Sequence, residues 1–132
     1  MEQQKKLKIF ILEDSPLRIQ NFSDMFITDD MIISNSATTA ISLLCNIKFD
    51  IIFLDHDLGG SVMVDVKDTN TGSEVCKHIN AINKDSQVII HSWNPHGAVT
   101  MKHTLKGKGF TNVIEQRFNE MLAISVKGHY TK

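Results

Sequence analysis

The chain has little of what staples or stiffens a small fold: two cysteines, two prolines, one tryptophan and one tyrosine in 132 residues. Cys45 and Cys76 lie far apart and match no metal-binding spacing, which excludes a disulfide scaffold and a cysteine-ligated zinc site. They read as reduced core thiols, each inside a helical segment, and suit a cytoplasmic protein. No apolar run is long enough for a signal peptide or a membrane span, and Ile9–Leu12 near the start has the Ile and Phe content of a strand. Neither sign of charge dominates: 14 basic against 15 acidic residues leave −1, so no basic field points to general nucleic-acid binding. Repeats and low-complexity tracts are absent as well. What is present, 42% hydrophobic and 22% charged residues, fits one globular domain over residues 1–132. A chain of this length buries about two-thirds of its unfolded surface.

The stretch Asp50–Gly60, DIIFLDHDLGG, organises the rest. Ile51 to Leu54 is continuously apolar, as a parallel strand covered on both faces must be, and Asp55, His56 and Asp57 follow before a glycine pair. In open α/β sheets ligands gather at the carboxyl ends of strands. Two carboxylates and an imidazole at such an end call for a cation, a phosphate or a proton, since burying them unpaired is costly. Taken alone, the tripeptide reads equally well as the start of a solvated loop.

The other segments repeat the pattern. Leu7–Leu12 is a strand ending in Glu13-Asp14. Ser15-Pro16 then starts a helix whose buried side is Leu17, Phe22, Met25 and Phe26. Met31–Ser34 is a short strand, and Thr38 or Thr39 starts a helix carrying Ala40, Ile41, Leu44 and Cys45. Residues 61–71 form an inserted loop or small hairpin with Val62, Val64 and Val66 alternating. Gly72 opens a helix with Val75, Cys76, Ile79 and Ile82 inside. Val88–Ile90 is a strand ending in His91-Ser92, and a helix from about Gly97 to Lys106 buries Ala98, Met101 and Leu105. Val113-Ile114 is the fifth strand and Phe118–Ser125 a last helix. This alternation predicts a doubly wound α/β fold with a five-stranded parallel sheet. Three strands then deliver polar groups to one edge: Glu13 and Asp14, Asp55 to Asp57, and His91 with Ser92.

An acidic pair after the first strand, an aspartate ending the third and a hydroxyl ending the fourth resemble the receiver domains of two-component signalling, over nearly the whole chain. The resemblance implies a flavodoxin-like sheet in the order 2-1-3-4-5. It also implies Mg²⁺ or Mn²⁺ held by Asp14, Asp55 and the Asp57 carbonyl, with Glu13 assisting through water. Asp55 would be the phosphoacceptor and Ser92 the hydroxyl that touches a phosphoryl oxygen. Such a cation takes oxygen ligands and neutralises phosphate charge. Two departures stand out. The run Val113-Ile114-Glu115-Gln116-Arg117 lacks the receiver lysine, unless Arg117 partly replaces it, and His56 and His91 occupy positions that are usually apolar.

FLDHDLGG and HSWNPHGA, with Thr71-Gly72 between them, resemble a divergent group, the cyclic-phosphate processing receiver domains. That resemblance implies a small phosphate ligand, cyclic or nucleotide. His56 and His91, ending adjacent strands, are then expected to face one phosphate as base and acid, with Asp55 beside them. The competing reading is that either histidine fills core space and bonds to a backbone carbonyl. Asn94 and His96 lead into a helix whose N-terminus can receive phosphate. Trp93 is expected to pack beneath that helix rather than stack on a base. Asp65, Asp68 and Asn70 lack the regular series and terminal glutamate of a calcium loop and read as solvated. A phosphoesterase, a phospho-accepting regulator and a ligand-sequestering protein are thus the three functional classes.

Overall fold

A computed structural model describes residues 6–58, 65 and 68–116. The strands are β1 (Lys8–Leu12), β2 (Asp30–Ser34), β3 (Ile51–Leu54), β4 (Gln87–Ile90) and β5 (Val113–Glu115). Helices α1 (Pro16–Met25), α2 (Ala37–Asn46), α3 (Gly72–His78) and α4 (Pro95–Gly107) connect them, with a 3₁₀ turn at Ala81–Asn83. Among the described residues the strands all pair in parallel and their order is β2-β1-β3-β4-β5, as expected. The expected helix Phe118–Ser125, Arg117 and most of the 61–71 insertion lie outside the described residues.

Strand alternation sorts the side chains into two cores. Ile9, Ile11, Ile51, Phe53 and Ile89 meet Phe22 and Phe26 of α1 on one face. Phe10, Leu12, Ile52, Leu54, Val88 and Ile90 meet α2, α3 and α4 on the other. Phe22 and Phe26 tilt against Phe53 with centroids 4.8 and 5.8 Å away. Burying each such ring contributes on the order of 2 kcal/mol. Asn83, also buried, accepts from Phe49 N–H and donates to the Leu44 and Ile47 carbonyls, tying the end of α2 to the start of β3.

The helices start where short polar side chains cap them: Ser15, Ser36, Thr71 and Asn94 accept from the N–H of Arg18, Thr39, Glu74 and Gly97. Two starts differ from expectation. Ser36, not Thr38 or Thr39, caps α2, and α4 begins at Pro95 because Asn94 caps it and proline suits the first turn. Leu17 is 72% exposed, since the first turn of α1 projects past the sheet edge before Phe22 reaches the core. Ile82 is 40% exposed because α3 stops at His78 and the 3₁₀ turn breaks its periodicity. Gly109 adopts φ 91° just beyond α4, a conformation that favours glycine. Cys45 and Cys76 are both free thiols, and burial pushes Cys76 up to about 12. Among the described residues, no helix is long and apolar enough to cross a membrane.

Candidate metal and phosphate site

Leu12, Leu54 and Ile90 share one row across β1, β3 and β4. The ladder runs one residue further, through Asp55 N–H to Leu12 O at 3.1 Å and His91 N–H to Leu54 O at 3.0 Å. The next row is therefore Glu13, Asp55 and His91, side by side on the α1 face, because successive side chains alternate between faces. All three are buried, and each offers a ligating atom within 4.8 Å of the others. His91 Nε2 stands 2.9 Å from Glu13 Oε1, and its ring meets Phe22 and Phe53.

Glu13 is held as a carboxylate. Burial works to raise it, but the hydrogen bond and charge of His91, the Ser15 N–H and Arg18 outweigh that and bring it down to about 2. Its Oε2 accepts the Asp14 and Ser15 N–H groups at 3.0 and 3.1 Å. Asp55 goes the other way, up to about 7, chiefly through burial; the His91 charge opposes this, and the Glu13 charge and their shared hydrogen bond add to it. Asp55 Oδ1 accepts the His56 N–H at 2.8 Å. From the first turn of α1, Arg18 Nη1 reaches Glu13 Oε1 at 3.4 Å and Asp55 Oδ2 at 3.7 Å. No sequence pattern singled out Arg18; its place one turn after the acidic pair is the signal that was there to be used.

Other expected site residues take separate places. Asp14 and Asp57 are half-buried and stand outside the Glu13, Asp55 and His91 group. Register places His91, not Ser92, beside Asp55; Ser92 turns with Ile90 to the opposite face and lines a cavity of about 230 Å³ with Pro95, Ala98, Val99 and Glu115. Ser92 Oγ accepts the Asn94 N–H at 3.1 Å. Asn94 spends its side chain on the α4 cap and on Asp57 Oδ1, 3.2 Å from Nδ2. His96 is exposed in the first turn of α4. Trp93, expected beneath that helix, is 48% exposed instead, because the chain turns outward between β4 and the Asn94 cap.

The two histidines do not face one point. His56 is buried on the α3 and α4 side, its Nδ1 2.9 Å from Ser73 Oγ, and a Cβ on Gly97 would stand 2.5 Å from its Cγ. His91 points to the α1 side, as its odd place in the strand alternation requires. The Thr71-Gly72 pair pins this edge: Thr71 bridges to Asp57, Gly72 N–H donates to His56 O at 3.0 Å, and a Cβ on Gly72 would stand 2.0 Å from Asp55 O. Asp65, Asp68 and Asn70 are exposed, and Asn70 Oδ1 accepts the Ala37 N–H at the start of α2. Beside Glu13, a groove of about 340 Å³ runs over Ile33, Ser34, Asn35, Ser36 and Thr39.

A parallel sheet in this order with an acidic cluster at its carboxyl edge defines a receiver-like protein. Solved structures agree on the fold. A CheY-like receiver domain from Methanospirillum hungatei is 14% identical with TM-score 0.67 over 96% of this chain and 94% of its own. The phosphorylated cyanobacterial phytochrome response regulator RcpA is 15% identical with TM-score 0.71 over 96% and 94%. Response regulator Rcp1, solved in its Mn²⁺-bound form, is 14% identical with TM-score 0.66 over 96% and 95%. Comparison with curated proteins gives no match. Residues 9–107 match the family described as the cyclic-phosphate processing receiver domain, and the chain belongs to that family.

Proposed function

We propose that this receiver-fold protein holds a divalent cation at Glu13, Asp55 and His91 and uses it to bind and process a cyclic or nucleotide phosphate. The observation that carries this reading is the buried row of two carboxylates and one imidazole with ligating atoms within 4.8 Å. Ligands on one ion at about 2.1 Å lie at most about 4.2 Å apart, so the residues fit a cation with small side-chain adjustments. Carboxylate oxygens suit Mg²⁺ and Mn²⁺, and the imidazole nitrogen favours Mn²⁺ of the two. The family match and the Mn²⁺-bound Rcp1 structure support a divalent cation at this edge of the sheet. When bound, such a cation neutralises phosphate charge and acidifies a coordinated water.

The chain's own residues then divide the work. Glu13, kept ionised by its N–H donors and His91, supplies a fixed negative oxygen. With a cation bound, Asp55 would be the second ligand in its ionised form, and His91 would offer a neutral ring nitrogen in place of its hydrogen bond to Glu13. His56 acts as a positioning residue, wedged between Ser73 and Gly97 behind the Asp55 backbone. The groove beside Glu13 has room for more than a phosphate and offers the hydroxyls and amide of Ser34, Ser36, Thr39 and Asn35, which suits a nucleoside or sugar portion.

The test is incubation with a panel of cyclic phosphates, with and without Mg²⁺ or Mn²⁺, followed by product analysis. Metal-dependent ring opening, abolished in Asp55→Asn, is the expected result. Phosphate incorporated on Asp55 from a small phosphodonor, without ring opening, would instead favour a phospho-accepting regulator. Tight binding without turnover would make it a sequestering protein.

A further inference from the structure

Resting on the divalent-cation reading above, we infer that Ser73 is a positioning residue of this site, holding the Asp55 carboxylate in place through the ring of His56. Residues at the start of α3 meet the chain just after β3 in an unbroken series. Thr71 bridges to Asp57, Gly72 N–H donates to His56 O at 3.0 Å, and Ser73 Oγ stands 2.9 Å from His56 Nδ1. The first two contacts run through the backbone. The Ser73 contact joins two side chains, so substitution can remove it alone.

The contact is placed to act on Asp55. The His56 N–H donates to Asp55 Oδ1 at 2.8 Å, so the backbone of residue 56 fixes one carboxylate oxygen. The other oxygen turns toward Glu13: Arg18 Nη1 stands 3.7 Å from Asp55 Oδ2 and 3.4 Å from Glu13 Oε1. How the carboxylate is set between these directions depends on where the His56 amide sits. The ring and the amide share one Cα, so holding the ring holds the amide. The ring also has little room, because a Cβ built on Gly97 would stand 2.5 Å from its Cγ and 2.9 Å from the His56 Cβ. Ser73 of α3 and Gly97 of α4 thus grip His56 from two elements.

Chemistry as well as place sets this pair apart from packing. His56 and Ser73 are both buried, where apolar side chains would fill the space without a desolvation penalty. A serine in the first turn of a helix commonly bonds to nearby backbone, whereas Ser73 reaches a ring 17 residues away. A buried hydrogen bond of this kind fixes one ring orientation, and partners behind a metal ligand hold that ligand in the geometry the metal needs. The ligating atoms of Glu13, Asp55 and His91, within 4.8 Å of one another, must draw in slightly around a cation. A carboxylate already held in place then binds with less reorganisation.

Mn²⁺ calorimetry on the full chain, paired with thermal unfolding in chelator, separates positioning from packing. Ser73→Ala should weaken Mn²⁺ binding about tenfold, as loss of a partner behind a metal ligand does. Ser73→Thr keeps the hydroxyl but adds a methyl group in a buried place, so it should melt lower and still bind Mn²⁺ within about twofold of the parent. In a His56→Phe background, where Ser73 has no ring nitrogen to hold, Ser73→Ala should weaken Mn²⁺ binding no further. If His56→Phe does not fold, the alanine and threonine variants decide alone. Unchanged Mn²⁺ affinity in Ser73→Ala, affinity that falls with melting temperature in both Ser73 variants, or a further loss in the double variant would overturn the role and leave the cation site standing. A parent protein that binds no Mn²⁺ would remove the cation site and this role with it.

Discussion

Asp55 and Glu13 pull the pH dependence of the metal-free fold in opposite directions. Asp55 moves from 3.8 up to about 7 on folding, chiefly through burial, so the folded chain keeps a proton that the unfolded chain has released. Its contribution is complete below the unfolded value and is lost as pH rises toward 7. Glu13 moves from 4.5 down to about 2, despite its burial, so its contribution is present above 4.5 and lost as pH falls toward 2. Urea unfolding in chelator should therefore show greatest stability between those unfolded values, near pH 4, and a decline toward neutrality. Asp55→Asn should flatten that decline and raise stability at about pH 8 by about 2 kcal/mol, a discounted conversion of the shift. An unchanged slope in Asp55→Asn would place the titration on another group. The acids at this edge were legible in the sequence, but the fact that His91 belongs with them and His56 does not rests on register parity.

Two glycines set how closely the helices approach the strand ends. Gly72 brings the first turn of α3 against the Asp55 carbonyl, where a Cβ would meet backbone oxygen at 2.0 Å and Met101 Cε at 2.6 Å. Backbone yields little, so Gly72→Ala should cost about 3 kcal/mol, the upper end for overpacking, and weaken Mn²⁺ binding by displacing Asp55. Gly97 admits the His56 ring, with Cγ at 2.5 Å from a built Cβ. His56 Cβ also stands at 2.9 Å, and neither it nor Cγ moves when the ring rotates, so Gly97→Ala should likewise cost about 2–3 kcal/mol, and thermal unfolding of the pair checks both. Tolerance of alanine at either site would mean that its helix start is not held against the strand ends. At this scale the helices were legible from their apolar spacing, while their first residues were read less well. Ser36 precedes two threonines that are also good caps, and only the chain's arrival from β2 selects among them.

For the whole molecule, the cation proposed for Glu13, Asp55 and His91 links stability to binding. A ligand that binds only the folded state at about a hundred times its Kd adds about 2.7 kcal/mol. Because Asp55 must lose its proton to become a ligand, Mn²⁺ should raise the melting temperature strongly at about pH 8 and little at about pH 5. Equal shifts at both values would place the metal away from Asp55.

The sequence by itself determined the strand count, the parallel sheet and the edge that carries the chemistry, while the strand order came from the family resemblance. Continuous apolar strands alternating with amphipathic helices admit few other packings, and polar residues after buried strands have one edge at which to collect. Tertiary structure decided which of those polar residues meet. Leu12, Leu54 and Ile90 fall in one row, which commits Glu13, Asp55 and His91 to one face and turns His56 and Ser92 to the other. It also brought Arg18 onto the acids from a different element, and left Leu17 and Trp93 in solvent although their residue types favour the core. Spacing along a chain encodes which face of its own element a residue takes; which neighbours that face then meets depends on the register and reach of elements distant in sequence.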